Sequence, residues 1–325
     1  MTLFLIRRIV QGFAIIMAMS VIVFVGVYAI GNPVEILINP DATPQIKERA
    51  IERLGLDKPI LEQYGIFLLR ALQGDLGNSF IYDEPALKLI LEVMPATLEL
   101  AIASMLMALV FGIPLGMAAG YWPNSTFSNV VMTGSIFGFS LPSFWVGLML
   151  ILIFAVELGW LPSGGRGETV EVFGVHLSFL TLDGLSHLLL PALNLALFKI
   201  SLVIRLARAG MRETMSQDYI KYARAKGLST RRVVFVHAFR NTLIPIVTVL
   251  GLEMGSVIAF AVVTETVFSW PGMGKLIIDS INLLDRPIIV AYLMMTVLMF
   301  VVINLIVDVT YSGIDPRVRL SEVDD

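Results

Sequence analysis

The chain is predicted to be an all-α integral membrane protein with six transmembrane helices. Two observations predict it. Hydrophobic residues make up 57% of the 325 residues against 15% charged, above the apolar share of a soluble domain. The apolar positions also collect into six runs of about 20 residues, the length a helix needs to cross a hydrocarbon core about 30 Å thick. A mean hydropathy of +0.83 agrees. Cysteine is absent, which excludes a disulfide framework and a thiolate metal site and leaves the redox compartment unmarked. The three histidines are too scattered to form a metal site.

The runs extend from Ile9 to Ile30, Ala96 to Tyr121, Val130 to Leu158, His187 to Ala207, Thr242 to Val267 and Ile288 to Tyr311. Pro114, Pro142, Pro191 and Pro245 lie inside them. Membrane helices tolerate proline where neighbours re-satisfy the freed backbone groups, so kinked, packed helices are expected. The first run has a cationic flank, Arg7 and Arg8, and Val27-Tyr28-Ala29 loosely resembles a cleavage site. Its apolar part exceeds the 7 to 15 residues of a signal peptide, so a retained anchor is expected.

Lys and Arg near span ends stay on the cytoplasmic side. With the amino terminus inside, the inner segments carry thirteen of them: Arg7, Arg8, Arg205, Arg208, Arg212, Lys221, Arg224, Lys226, Arg231, Arg232, Arg240, Arg317 and Arg319. The short outer segments carry only Arg166, Lys275 and Arg286. Both termini are therefore expected to be cytoplasmic. The long outer segment between spans one and two is expected to be helical. Thr43-Pro44 caps one amphipathic helix with Ile46, Ala50, Ile51 and Leu54 on its apolar face and Gly55 as its stop, and a second runs from Pro59 to Gln73 and ends at Gly74. Residues 1–95 thus form an anchor and outer segment, 96–311 a core of five spans, and 312–325 a tail.

The densest cationic stretch lies between spans four and five, about residues 208–241. Ser216 to Lys226 fits a short helix, Gly227 a left-handed terminator, and Ser229 the cap of a second helix leading into the fifth span. An inside-positive loop explains the basic residues and would be satisfied by disorder. It does not explain Ala223 and Ala225 beside Gly227, small residues that let a second surface approach the backbone.

Ionisable groups within spans are costly unless paired or lining a cavity. Glu99, Glu253, Glu265 and Asp308 qualify, with Lys199 as a possible cation. Glu253 lies about 12 residues into its span, near mid-membrane at 1.5 Å per residue, where a substrate amino group or a neighbouring helix would meet it. Glu265 lies near the outer end and is a candidate for a gate.

The segment from Tyr219 to Pro245, with YARAKGL followed by HAFRNTLIP, resembles the cytoplasmic coupling loop of ABC importer permeases of the dipeptide, oligopeptide and nickel group. Gly74–Gly77, Pro95–Ala101, Leu141–Trp145, Leu158–Pro162, Glu265–Gly272 and Asp315–Arg317 resemble further blocks of that family in order, so the likeness covers nearly the whole chain. It departs from the general Glu-Ala-Ala motif, where Lys221-Tyr222-Ala223 stands. The resemblance implies a type I importer permease in the inner membrane of a prokaryote. Its partners would be a homologous second permease, two ATPase subunits carrying ATP and magnesium, and a substrate-binding protein that holds most of the specificity. It also implies a coupling role for Asp218, Tyr219, Ala223, Arg224, Ala225, Lys226 and Gly227, while Glu253 and Glu265 are candidates for the translocation path on their intramembrane charge alone. Cargo classes carried by similar proteins are di- and oligopeptides, nickel chelates, glutathione and glycosides.

Other classes fit less well. Gly272-Met273-Gly274-Lys275 looks like the end of a P-loop, but Ser269 and Leu276 stand where Gly and Ser/Thr are needed. A protease nucleophile at Ser140 lacks the following Gly and a histidine at its depth. No catalytic residue, metal, cofactor or nucleic-acid partner is expected in this chain. An ion-driven secondary transporter, with Glu253 titrating, is the rival reading, but it needs no basic coupling loop.

Overall fold

A computed structural model describes residues 2–30, 38, 42–54 and 57–314. Gly55 and the tail from Asp315 onward, with Arg317 and Arg319, lie outside the described residues. The apolar runs are helical, the third with a break at Leu141–Pro142. Backbone donors and acceptors have no water to turn to in hydrocarbon, so helices that satisfy them internally are the structure the composition demands.

The residues form two compact units, Met1–Pro95 with Gly272–Ile306, and Ala96–Pro271 with Val307–Asp325. In the first, α1 (Thr2–Ile30), α2 (Pro44–Leu54) and α3 (Ile60–Leu72) are followed later in the chain by α11 (Met273–Asn282) and the first part of α12 (Arg286–Ile314). Val23 and Val290 are buried together with Met19, Phe67 and Met294 packed around them. Ser20 hydrogen-bonds Tyr64 at 2.8 Å, and Phe24 meets the Tyr64 ring edge-on at 5.2 Å. The Pro44 start of α2 and the end of α3 before Gly74, whose φ is 79°, follow the expected signals. Asp285 is fully buried and accepts hydrogen bonds from the Ser79 hydroxyl and the Phe80 amide.

The second unit holds most of α4 (Ala86–Tyr121), then α5 (Thr126–Ser140) and α6 (Ser143–Leu150), which runs on in π-type turns over Ile151–Glu157. A two-stranded antiparallel hairpin follows, β1 (Val170–Val172) with β2 (Val175–Leu177), pairing Val170 with Leu177. Then come α7 (Leu182–Ser216), α8 (Asp218–Ala225), α9 (Thr230–Arg232) with π-type turns over Val233–Ala238, and α10 (Phe239–Val267).

Among the described residues five helical stretches are long and apolar enough to cross a membrane, and α5 with α6–Glu157 forms one further bent pair. The third run is therefore not one helix. It breaks at Leu141–Pro142 and turns by 107°. Leu141 is extended, with ψ 138°, because the ring of a following proline disfavours helical backbone. The two halves still progress along α7 in one direction: Gly138 lies against Ser201, Gly147 against Asn194, and the Gly164 carbonyl accepts a hydrogen bond from His187 Nδ1 at 2.8 Å. Helix ends also overrun the apolar runs. α7 has 35 residues, about 52 Å at 1.5 Å per residue, well beyond the hydrocarbon core.

α4 and α7 run parallel and approach closely through Gly112, Gly116 and Gly120, four residues apart and so on one helix face. A Cβ on Gly116 would sit 2.5 Å from the Ile204 carbonyl oxygen and 2.6 Å from the Ala207 Cβ, and one on Gly120 would sit 2.7 Å from the Arg208 carbonyl. Small residues at such a spacing let membrane helices pack backbone to backbone, where dispersion contacts drive association. Gly116→Val is expected to abolish most folded protein, since the obstacle is main chain and overpacking of even a yielding core costs about 1–3 kcal/mol. Gly134→Val, where a Cβ meets nothing within 4 Å, is the control. Monodisperse yield and thermal midpoint in detergent read the difference, and equal behaviour of the two variants would refute the close-packing role.

Candidate coupling surface and intramembrane charge pairs

α8 is fixed from within. Ile220 and Ala223, three residues apart and so on one face, bury against Val233 with Met215 and Leu228 around them. Gly227 takes φ 78°. The Leu228 amide donates to the Ala223 carbonyl at 3.2 Å and the Gly227 amide to that of Arg224 at 2.9 Å, the paired bonds of a helix end closed by a left-handed glycine. The Ser229 side chain then accepts from the Arg232 amide and opens α9. One residue, Gln217, separates α8 from α7, and Asn241 of α10 donates from Nδ2 to the Tyr219 hydroxyl.

The outward surface of α8 presents Lys221, Tyr222, Arg224, Ala225 and Lys226. Lys226 lies over the Tyr222 ring, 4.6 Å from its centre. Lys221 pairs with Asp218 at 2.8 Å, a hydrogen bond and charge that hold the Asp218 carboxyl below its ordinary range. Ala223 differs from the expectation that it offers a small side chain to a second surface. It is buried in the chain's own interior because it continues the Ile220 stripe. Ala225 and Gly227 remain exposed.

The intramembrane charges find partners. Lys199 of α7 donates to Glu253 Oε2 of α10 at 2.5 Å and to the Ser256 hydroxyl at 3.0 Å. The Lys199 side chain is 11% exposed and that of Glu253 34%. The pair lies between two other α7–α10 contacts, Asn194 Nδ2 donating to Thr264 Oγ1 at 2.9 Å and Gly210 against Thr242, so it sits well inside the helix pair. Glu265 is fully buried and accepts from Thr97 at 2.7 Å, beside Trp270, whose Nε1 donates to the Ala96 carbonyl at 2.9 Å. These bonds tie the end of α10 to α4.

Glu99 anchors the loop between α6 and α7. Its carboxylate accepts from Arg166 at 2.8 and 3.0 Å, from the Ser178 amide at 2.7 Å and from the Ser178 hydroxyl at 3.0 Å, while Arg166 also reaches the His176 carbonyl. Sequence reasoning flagged Glu99 as a buried acid but missed this partner and the hairpin it secures. The available signal was Arg166, the one Lys or Arg between Leu158 and Leu182.

Breaking a buried ion pair by removing one partner costs about 3–5 kcal/mol, because the other charge stays buried and unanswered, whereas replacing both by apolar residues is often neutral. Lys199→Met is therefore expected to lower thermal stability sharply, and Lys199→Met with Glu253→Leu to recover most of the loss. A double-mutant cycle on detergent-purified protein measures this, and strict additivity of the two substitutions would exclude the pairing.

Two family models match the chain. Residues 112–320 match the binding-protein-dependent transport system inner membrane component, and residues 1–101 match the N-terminal part of such membrane components. A di/tripeptide transport system permease protein of Pseudomonas aeruginosa is 41% identical over 302 residues, covering 89% of this chain and 90% of its own. A dipeptide transport system permease protein of Alkalihalophilus pseudofirmus is 36% identical, covering 96% of this chain and 98% of its own. A glutathione transport system permease protein of Escherichia coli is 37% identical, covering 97% and 98%.

Proposed function

The chain belongs to the inner membrane components of binding-protein-dependent transport systems, a family of ABC importer permeases, and on that premise we propose that it forms half of the translocation path of an ATP-driven importer of di- and oligopeptides. The likeness to permeases named for dipeptides and di/tripeptides supports the cargo class. Glutathione, itself a tripeptide and the cargo named for another relative, falls within it. The second half is a homologous permease, ATP and magnesium act on two separate ATPase subunits, and a substrate-binding protein delivers cargo to the outer side. The chain itself carries no catalytic step.

The observation that carries the coupling assignment is the mounting of α8. It projects an exposed basic and aromatic surface, yet it is joined to α7 through one residue and to α10 through Tyr219–Asn241. A helix seated in a cleft of an ATPase subunit moves with that subunit when ATP closes the dimer. Two packed spans then carry the motion to the path. Tyr222, Arg224, Ala225 and Lys226 make the contact in this reading, with Asp218 ionised at neutral pH, and Ala223 and Gly227 set the shape of the helix and its exit.

The bent pair is read as one broken crossing, because its contacts advance from Ser201 to Asn194 to His187 along α7 instead of returning to the same end. That makes six crossings and both termini cytoplasmic, in agreement with the clustering of Arg and Lys. α2 and α3 then lie outside, where a delivery protein docks. Glu253, one-third exposed in the single chain and paired to Lys199, is assigned to the path and Glu265 to the packing that frames its outer end.

Gly227→Asp introduces a side chain at φ 78°, where a left-handed residue other than glycine costs about 1–2 kcal/mol, and sets an acid beside the basic docking surface. The variant is expected to insert in the membrane, to lose at least tenfold in co-purifying ATPase subunits and to lose peptide uptake. Normal uptake would overturn the coupling assignment. The path assignment is read separately with the stability-restored Lys199→Met, Glu253→Leu protein: altered preference between cationic and anionic peptides supports it, and unaltered uptake of both refutes it.

A further inference from the structure

We propose that the chain holds one anionic phospholipid of the cytoplasmic leaflet in a cavity between the end of α4 and the turns that lead into α10. An acyl chain fills the cavity and the phosphate meets Arg231. The proposal rests on the orientation assigned above.

The cavity measures about 430 Å³, and its wall is almost wholly apolar, with Ile113 and Met117 from one side and Val234, Phe235 and Phe239 from the other. α4 runs parallel to α7, as Gly112 against Val203 and Gly116 against Ala207 show, and α10 runs antiparallel to it, as Asn194–Thr264 and Gly210–Thr242 show. Tyr121 and Trp122 at the end of α4 therefore stand level with Thr230 and Arg231 at the start of α9, and all four line the cavity. One end is apolar and the other aromatic and cationic. That is the order of groups a lipid meets on passing from its tail to its headgroup, with Trp and Tyr at the interfacial level and a basic pocket between helices for an anionic head. Trp122 is 57% exposed and Phe235 64%. Neither Arg231 nor Arg232 makes an ion pair among the described residues.

Size favours a single chain of methylenes over a protein segment. A helix about 10 Å across would fill such a volume with roughly one turn, too little to dock a partner. Water is also a poor occupant of the apolar end, since a buried water needs two to four polar partners, which Ile113, Met117, Val234 and Phe235 do not supply.

The position gives the lipid a consequence. Val233 buries against Ile220 and Ala223 of α8, while the next residue, Val234, lines the cavity. The same turn of backbone thus faces the coupling helix on one side and the lipid on the other. An acyl chain in place braces that turn, so the anionic content of the leaflet sets how firmly α8 is held.

The test is native mass spectrometry of the complete transporter complex, exchanged in detergent against phosphatidylglycerol or phosphatidylcholine. The wild-type complex is expected to retain one phosphatidylglycerol per copy of this chain at least tenfold more strongly than phosphatidylcholine. Val234→Trp, which fills the cavity, removes both lipids from the site. Arg231→Gln leaves binding but equalises the two lipids. Retention unchanged in both variants overturns the proposal. So does a photo-crosslinking residue at position 235 that captures a polypeptide in place of a diazirine-bearing phosphatidylglycerol. Should a variant fail to accumulate, the wild-type crosslinking outcome still decides. The same spectra count ATPase subunits: lipid retained on a complex without them upholds the site and sinks the coupling assignment, and the reverse sinks the site alone.

Discussion

Hydrocarbon offers no hydrogen bonds, so the amide and ammonium donors that α7 carries into the membrane need acceptors on a neighbouring helix. That constraint arranges the second unit. Asn194 is answered by Thr264, and Lys199 by Glu253 and Ser256, all from α10, which sets the register of α7 on α10 at two points along their length. On another side α7 presents Val203, Ile204 and Ala207 to the glycines of α4. There the contact is close because nothing polar needs room. α5 and α6 take the remaining side, with glycines again at the contacts with Ser201 and Asn194.

Much of this was legible in the sequence, and what was not has identifiable causes. The apolar runs located the five long apolar helices and the bent pair among the described residues, because lipid demands such runs. Their limits misplaced helix ends because hydropathy stops with the hydrocarbon, while α7 continues to Ser216 through polar residues that water and local caps satisfy. Pro191 and Pro245 stay within helices, yet Pro142 breaks one. The residue type is identical: at Leu141 the proline's bias against helical backbone is followed, and the two halves make separate contacts along α7. The hairpin was missed because strands of three residues are too short for alternation to register, and the Glu99–Arg166 pair because its members are 67 residues apart.

The basic loop was readable for the opposite reason: its signals are local. Gly227, Ser229 and the short helix between polar ends specify a turn whose bonds run between neighbours in sequence. Ala223 was read as facing outward because it is small. Its spacing from Ile220 already put it on the inner stripe, and helical period outranks side-chain size in deciding which way a residue points. Glu253 and Lys199 were both visible as charges needing partners. Their pairing required the antiparallel order of α7 and α10, which no local pattern carries.

The pairing also bears on how motion travels. Sliding α10 along α7 by one turn, about 5.4 Å, would part a 2.5 Å contact and strand two charges where each unpaired one costs several kcal/mol. The Asn194–Thr264 bond would part with it. α7 and α10 are thus held in one register and move together, and α8 is attached to both. A displacement of α8 cannot be absorbed between them and must pass to weaker joints in the same unit. The bend at Leu141–Pro142 is the joint the structure offers: next to it α5 meets α7 through ring and glycine contacts, Phe139 against Phe198 and Gly138 against Ser201, which can slide more readily than an ion pair. If α8 couples to an ATPase as proposed, the charge pair makes α7 and α10 one lever hinged against α5 and α6.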